Sequence, residues 1–390
     1  MGKSRTIVSL ASILSFRMLG LFMIYPVFTV YAPQFNQGSS FLIGIALGIY
    51  GLTQALLQFP LSTLSDRWGR KPIITFGLLI LALGSIISAL THNIYILILG
   101  RALQGSGAIG STLMAYAADV TSVENRTKAM ALMGITIGIS FALSMVLGPL
   151  INSWVHLSGI FWLTALFALF GILIQYVFLP PTSLPTQSKQ PLSRIIKSLF
   201  KQDDFLFFNI SILVLHAILT ASFVAIPLFF SQWGITSNAQ WKIYLPVLFA
   251  GFAITLPILI IAEKKHLIKH SLVLGVLALA VAEFLFFGFP TIKNVMIMAL
   301  FCFFFGFTLL EALLPSLVSK IAPPLHRGSA MGIFSTFQFM GIFIGGVFAG
   351  LIRSHYNDAF IFYYCSVLCG LWLCFLGFSK VRYCVLQNES

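Results

Sequence analysis

An all-α integral membrane protein, with twelve spanning helices in two pseudo-symmetric six-helix bundles, is the fold class this sequence predicts. Three observations predict it. Of the 390 residues, 58% are hydrophobic and 8% are charged, whereas about a quarter of a soluble domain is charged. The apolar residues gather into twelve runs of the length a bilayer demands, about 20 residues each. Short passages of the first six runs recur in the last six at a nearly constant offset.

Taken in order, the runs cover residues 7–32, 42–64, 73–91, 95–117, 129–153, 159–179, 206–230, 241–262, 271–289, 293–317, 329–352 and 359–380. They are continuous rather than alternating, which excludes a β-barrel, and a helix satisfies its own backbone where no water can. The first run follows Lys3 and Arg5, as a signal peptide would. It is too long for one, carries Arg17 midway and lacks a small-residue cleavage site, so it reads as a retained span. Between runs six and seven stand Pro180, Pro181, Pro185 and Pro191. Leu192, Ile195, Ile196 and Leu199 follow, at helical spacing opposite Arg194 and Lys197. This stretch predicts a linker that ends in a helix lying on the membrane surface. The domains are therefore a bundle over 1–179, a linker over 180–205, a bundle over 206–380 and a tail over 381–390.

The net charge of +13 would suit nucleic acid, but its placement points to topology. With the N-terminus inside, the inner loops and termini hold eighteen of the 23 basic residues; Lys242, Lys293 and Arg353 lie outside, and Arg17 and Arg101 fall within runs. That asymmetry is the positive-inside pattern, with both termini cytoplasmic. The five cysteines, Cys302, Cys365, Cys369, Cys374 and Cys384, sit in runs 10 and 12 or on the inner tail. None has disulfide or metal-ligand spacing, so no metal or cofactor is expected.

The halves carry signs of a duplication. Arg126-Thr127-Lys128-Ala129-Met130 recurs as Arg327-Gly328-Ser329-Ala330-Met331 at an offset of 201, and Pro26 and Pro227 share that offset. Glu263-Lys264-Lys265 stands at an offset of 197 from Asp66-Arg67.

Asp66-Arg67-Trp68-Gly69-Arg70-Lys71 is the densest charge cluster in the chain, a short loop between runs 2 and 3. With two six-helix halves and a central linker, it resembles the major facilitator superfamily. Within that superfamily the chain is similar to the drug:proton antiporter branch, most closely its YajR-like subfamily. The passages that carry the likeness are Arg17-Met18-Leu19-Gly20 with Pro26, Gly48-Ile49-Tyr50-Gly51-Leu52-Thr53-Gln54, Gly100-Arg101-Ala102-Leu103-Gln104-Gly105-Ser106-Gly107, Met145-Val146-Leu147-Gly148-Pro149 and Glu311-Ala312-Leu313-Leu314-Pro315-Ser316. The sequence departs from the family at Ser62, where the loop motif usually opens with Gly. It departs again at Ser144, Asn152 and Ser153 around the fifth-helix motif Gly148-Pro149. Some YajR-like members continue into a soluble C-terminal domain; this sequence ends just after run 12, so none is expected.

The resemblance implies a gate. Ser62, Asp66, Arg67, Gly69, Arg70 and Lys71, with Asp119 and Arg126 at the inner end of run 4, would latch one half to the other in the outward-facing state. The plain alternative is a set of topology anchors and a solvated surface pair. Gly69 would permit the sharp turn, and Asp66 could face helix N-termini.

Runs 1, 4, 7 and 10 line the cavity in this superfamily. An ionised side chain at mid-membrane costs roughly 2.5–3.5 kcal/mol, so Arg17, Arg101, His216 and Glu311 should face that cavity or a partner. Glu283 falls on a peripheral run. Gln104 lies one turn from Arg101 on the same face. Proton coupling falls to Glu311, the only acid in the cavity-lining set, with His216 second. The structural alternatives are a permanent salt bridge for Glu311, a packed neutral imidazole for His216 and carbonyl-pinning for Arg101. Gly44, Gly48 and Gly51 of run 2, with Gly341, Gly345 and Gly346 of run 11, would form flat faces between the halves.

Three functions stay open. One is proton-coupled export of a drug-like or metabolite substrate. Another is proton-coupled movement of an organic anion, including uptake of a carboxylate or siderophore, which the pair Arg17 and Arg101 suits. The last is a sensor or lipid-handling protein on the same scaffold. No phosphate-binding Gly-Lys loop or nucleophile–base set appears, so the chain is not expected to be an enzyme and its energy must come from an ion gradient. The expected setting is a bacterial inner membrane, and the expected partners are a small-molecule substrate, protons and lipid, with no nucleic acid. The chain is expected to act as a monomer.

Overall fold

Length, hydropathy and local caps account for most of the helices. The computed structural model describes residues 3–121, 123–180, 197–201, 203–265, 267–322 and 327–378. Span 1 is Lys3–Phe22, span 2 Ser40–Trp68 and span 3 Arg70–Leu90. Spans 7 to 12 are Asp203–Gln232, Trp241–Lys264, Ile268–Gly288, Lys293–Ile321, Arg327–His355 and Ala359–Phe378. Ser39 caps span 2 by accepting from the Leu42 amide at 3.2 Å, and Asn93 caps the helix that begins at Ile94 by accepting from the Tyr95 amide at 2.8 Å.

Among the described residues, ten helices are long and apolar enough to cross a membrane, and two local features reconcile this with twelve predicted spans. Spans 5 and 6 form one helical run, Val123–Phe178, interrupted at Val155 and His156; His156 has φ 58°, which turns the chain back. Span 4 is two shorter helices, Ile94–Ser106 and Gly110–Val120, separated at residues 107–109. Span 1 is also interrupted. Its helix ends at Phe22, a turn follows through Pro26, and Phe28–Tyr31 completes the crossing. The predicted linker helix falls mostly outside the described residues, with only 197–200 seen as helical.

The halves meet where span 2 packs on span 11 and where span 8 packs on the helical run Val123–Phe178. On the first, glycines bring backbones together: a methyl group added at Gly44 would lie 2.3 Å from the Gly346 carbonyl oxygen, and one at Gly48 2.8 Å from that of Phe343. Gly341 and Gly345 correct the sequence reading, because they pack on Leu213 and Ala217 of span 7 in their own half. Tyr25 of span 1 crosses to span 7, with its hydroxyl 3.2 Å from that of Thr220 and its ring edge-on to Phe223. These approaches lie toward the end of the molecule away from Gly69. Toward the Gly69 end, Gly134 and Gly138 of span 5 and Gly328 and Gly332 of span 11 have open space where a side chain would stand.

Candidate functional site

The charged hexapeptide is not a loop. Span 2 runs through Trp68 and span 3 begins at Arg70, so Gly69 alone connects them, with φ 92° and ψ 157°. A methyl group at Gly69 would meet only Pro72 at 3.7 Å; the backbone conformation demands glycine there, not crowding. The turn aims Arg70 inward. Its side chain is 5% exposed, with Nη1 2.5 Å from Asp66 Oδ1 and Nε 2.8 Å from Asp119 Oδ2, and Nη1 also donates to Ser65 Oγ at 2.7 Å. Ser62 contributes its carbonyl, which accepts from Ser65 Oγ at 2.6 Å. Lys71 donates to the Leu179 carbonyl at 2.5 Å, and Arg67 is exposed. Among the described residues, the partners in this cluster belong to the N-terminal half. The side chain of Arg126 lies outside the described residues.

The C-terminal half builds a second polar site at mid-membrane. His216 Nδ1 donates to the Ile212 carbonyl one turn back, at 3.3 Å, so Nε2 is an acceptor. Gln338 of span 11 fills that need. Its amide nitrogen is 2.9 Å from His216 Nε2 and 3.2 Å from Glu311 Oε1, one hydrogen for each. Glu311 Oε2 stands 3.7 Å from His216 Nε2 and has no hydrogen-bond partner among the described residues. Glu311 is 28% exposed. Beyond it, toward the Gly69 end, Ala312 is exposed, while residues 303–310 on the other side are all buried. Glu311 thus stands at the edge of that buried stretch.

In the N-terminal half Arg101 Nη1 donates to Gln104 at 2.7 Å, Nε to the Ala46 carbonyl at 3.3 Å, and the guanidinium lies 5.0 Å from the Tyr50 ring centre. Gln104 donates onward to Ser85 at 2.7 Å. Arg17 donates to Gln54, which donates to Gln58 at 3.0 Å. Arg17 and Arg101 do not touch; each is buried, and neither has an acid within 4 Å among the described residues. Gly148 of the fifth-helix motif receives the interruption in span 1, its hydrogen pointing at the Met23 carbonyl, with Pro26 close by. Pro149 follows inside the helix.

Glu283 is fully buried, accepts from Ser222 at 2.7 Å and lies beside Cys365 and Cys369. It is remote in contact from Glu311. Reasoning from sequence missed Gln338, a lone amide inside the apolar run of span 11, and Gln58. Both were visible as uncharged polar residues at membrane depth, where a donor without a partner is costly.

Residues 10–346 and again 268–383 match the family described as the Major Facilitator Superfamily. The chain belongs to the major facilitator superfamily, as a YajR-like member of it, and is a transporter and not an enzyme. It is 41% identical over 376 residues to the inner membrane transport protein YajR of Escherichia coli K12, across 95% of this chain and 82% of that protein. An uncharacterized transporter of Buchnera aphidicola from Schizaphis graminum is 35% identical over 93% of this chain and 94% of its own length. Among solved structures, a D-xylose-proton symporter superposes with a TM-score of 0.77 at 15% identity, covering 97% of this chain and 98% of that one; at that identity the likeness shows the fold.

Proposed function

We propose that this protein is a proton-coupled secondary transporter that exports a small drug-like or metabolite substrate by alternating access. The Gln338 fork carries the reading. One amide serves an imidazole and a carboxylate at once, so a proton on either changes what the amide can satisfy. A proton on Glu311 Oε2 can be donated to His216 Nε2. A proton on His216 Nε2 repels the Gln338 hydrogen and frees that amide to turn. Proton movement at the pocket thereby changes the contact between spans 7, 10 and 11, which are the walls that alternating access must shift.

The basic bias supports a cytoplasmic Gly69 end, with Glu311 reached from that side. In this reading the bonds of Asp66, Arg70 and Asp119 stay within one half because the latch is released, and closing the cytoplasmic side brings the other half onto them. A bacterial inner membrane is the setting, by analogy with the name of the Escherichia coli relative, and the working unit is a monomer. In a second reading the cargo is an organic anion, moved outward or inward with protons. Arg17 and Arg101, buried without acids, favour it.

Proteoliposomes with and without an imposed proton gradient, offered cationic drugs and anionic chelators, test both readings. Glu311→Gln should lower gradient-driven transport at least tenfold while substrate exchange persists; unchanged dependence on pH would remove Glu311 from coupling. Transport confined to cationic drugs and unaffected by Arg101→Ala would exclude the anion.

A further inference from the structure

We infer that the interruption of span 4 and the side chain of Arg17 form a carboxylate-binding site within the N-terminal half, between spans 1, 2 and 4. The inference rests on the anion-carrying reading above and locates where the substrate's acid would be held.

The interruption is built into the packing. Gly107 has φ −72° and ψ 43°, so the first helix of span 4 stops at Ser106. Span 3 presses on the gap: a methyl group at Gly107 would lie 2.4 Å from the Gly77 carbonyl oxygen, and Ile109 fills the space above Gly77. The second helix starts afresh at Gly110 and runs 11 residues to Val120. No side chain caps it, and the Gly110, Ser111 and Thr112 amides have no hydrogen-bond partner among the described residues. Free amides at a half-helix N-terminus, deep in a membrane, favour negative charge.

A second, independent feature points to the same space. Arg17 is 1% exposed, yet its Nε and Nη1 have no partner; only Nη2 is used, on Gln54. Nη1 lies 3.4 Å from where a methyl group on Gly110 would stand, and Gln58 Oε1 lies 3.9 Å from it. The Thr112 hydroxyl is also buried and unpartnered. Donors from a guanidinium and a helix end thus meet where glycine leaves room, and the nearest acceptor, Gln58 Oε1, already takes a hydrogen from Gln54. A carboxylate oxygen placed between Arg17 Nη1 and the helix-end amides would accept from both. Discontinuous transporter helices meet anionic substrate groups with the same device.

The test uses the purified full chain in detergent, with thermal unfolding followed as sodium acetate or sodium chloride is added at matched ionic strength. Acetate should raise the melting temperature saturably, with chloride at least tenfold weaker. Arg17→Gln should abolish the shift. Gly110→Ala should fold, because its methyl group meets nothing closer than 3.4 Å, and should raise the half-saturating acetate concentration at least tenfold by filling the gap. Arg353→Gln, remote from the site, should leave it unchanged. No acetate shift, an equal shift with chloride, or an unaltered response in Gly110→Ala would overturn the site. Acetate binding without transport of any anion in proteoliposomes would sink the anion-carrying reading and leave the site standing.

Discussion

The N-terminal half buries two guanidinium groups, Arg17 and Arg101, among amides and a tyrosine ring, whereas the C-terminal half holds two carboxyls, the fully buried Glu283 and the partly exposed Glu311, beside a hydroxyl, an amide and an imidazole. The helices differ in the same way. Spans 1 and 4 are interrupted, while their counterparts, spans 7 and 10, run unbroken for 30 and 29 residues. Pro26 and Pro227 stand at equivalent positions, so proline alone does not explain the contrast. Gly148 does. It admits the freed Met23 carbonyl, and the position 201 residues later is Ala349, fully buried, where no carbonyl can enter. One methyl group thus separates an interrupted span 1 from an unbroken span 7.

Gly148→Ala attacks this contrast most directly. Its methyl group would lie 2.3 Å from the Met23 oxygen, and backbone yields poorly, so a loss of about 3 kcal/mol is expected, read as a lower melting temperature; an unchanged one would mean that span 1 breaks without help from span 5. Gly69→Ala comes next. With φ 92° and ψ 157° the site suits glycine alone, and the expected cost is about 2 kcal/mol, measured by thermal unfolding in detergent. The smallest effect belongs to Glu283→Gln. The amide keeps the shape and the acceptor for Ser222, so a stability change below about 1 kcal/mol and an unaltered pH profile of transport are expected. A profile that moved with Glu283 would make the C-terminal half a two-carboxyl machine.

Much of the fold was legible because spanning length is a blunt demand: the runs came within a few residues of the helices. The hexapeptide was misjudged at its edges. Asp66 and Arg67 are polar, and polarity suggested a loop, but a helix end at a membrane surface tolerates both. The interruption in span 4 was hidden because Gly105-Ser106-Gly107-Ala108-Ile109-Gly110 resembles the small-residue face of a packed helix. Only the pressure of Gly77 from span 3 shows that it bends. Arg101 with Gln104, and Asp66 with Arg70, were readable from helical spacing. Gln338 was not, since its importance comes from two partners far away in sequence, His216 and Glu311.

The single-residue connection at Gly69 has a mechanical consequence. Two helices joined by one residue cannot slide independently, so spans 2 and 3 form a stiff elbow. One arm carries Gly44 and Gly48 on the seam between halves; the other carries Gly77 beneath the gap in span 4. Whatever displaces the seam arrives at that gap within the same rigid piece, as a lever delivers the motion of its handle to its tip.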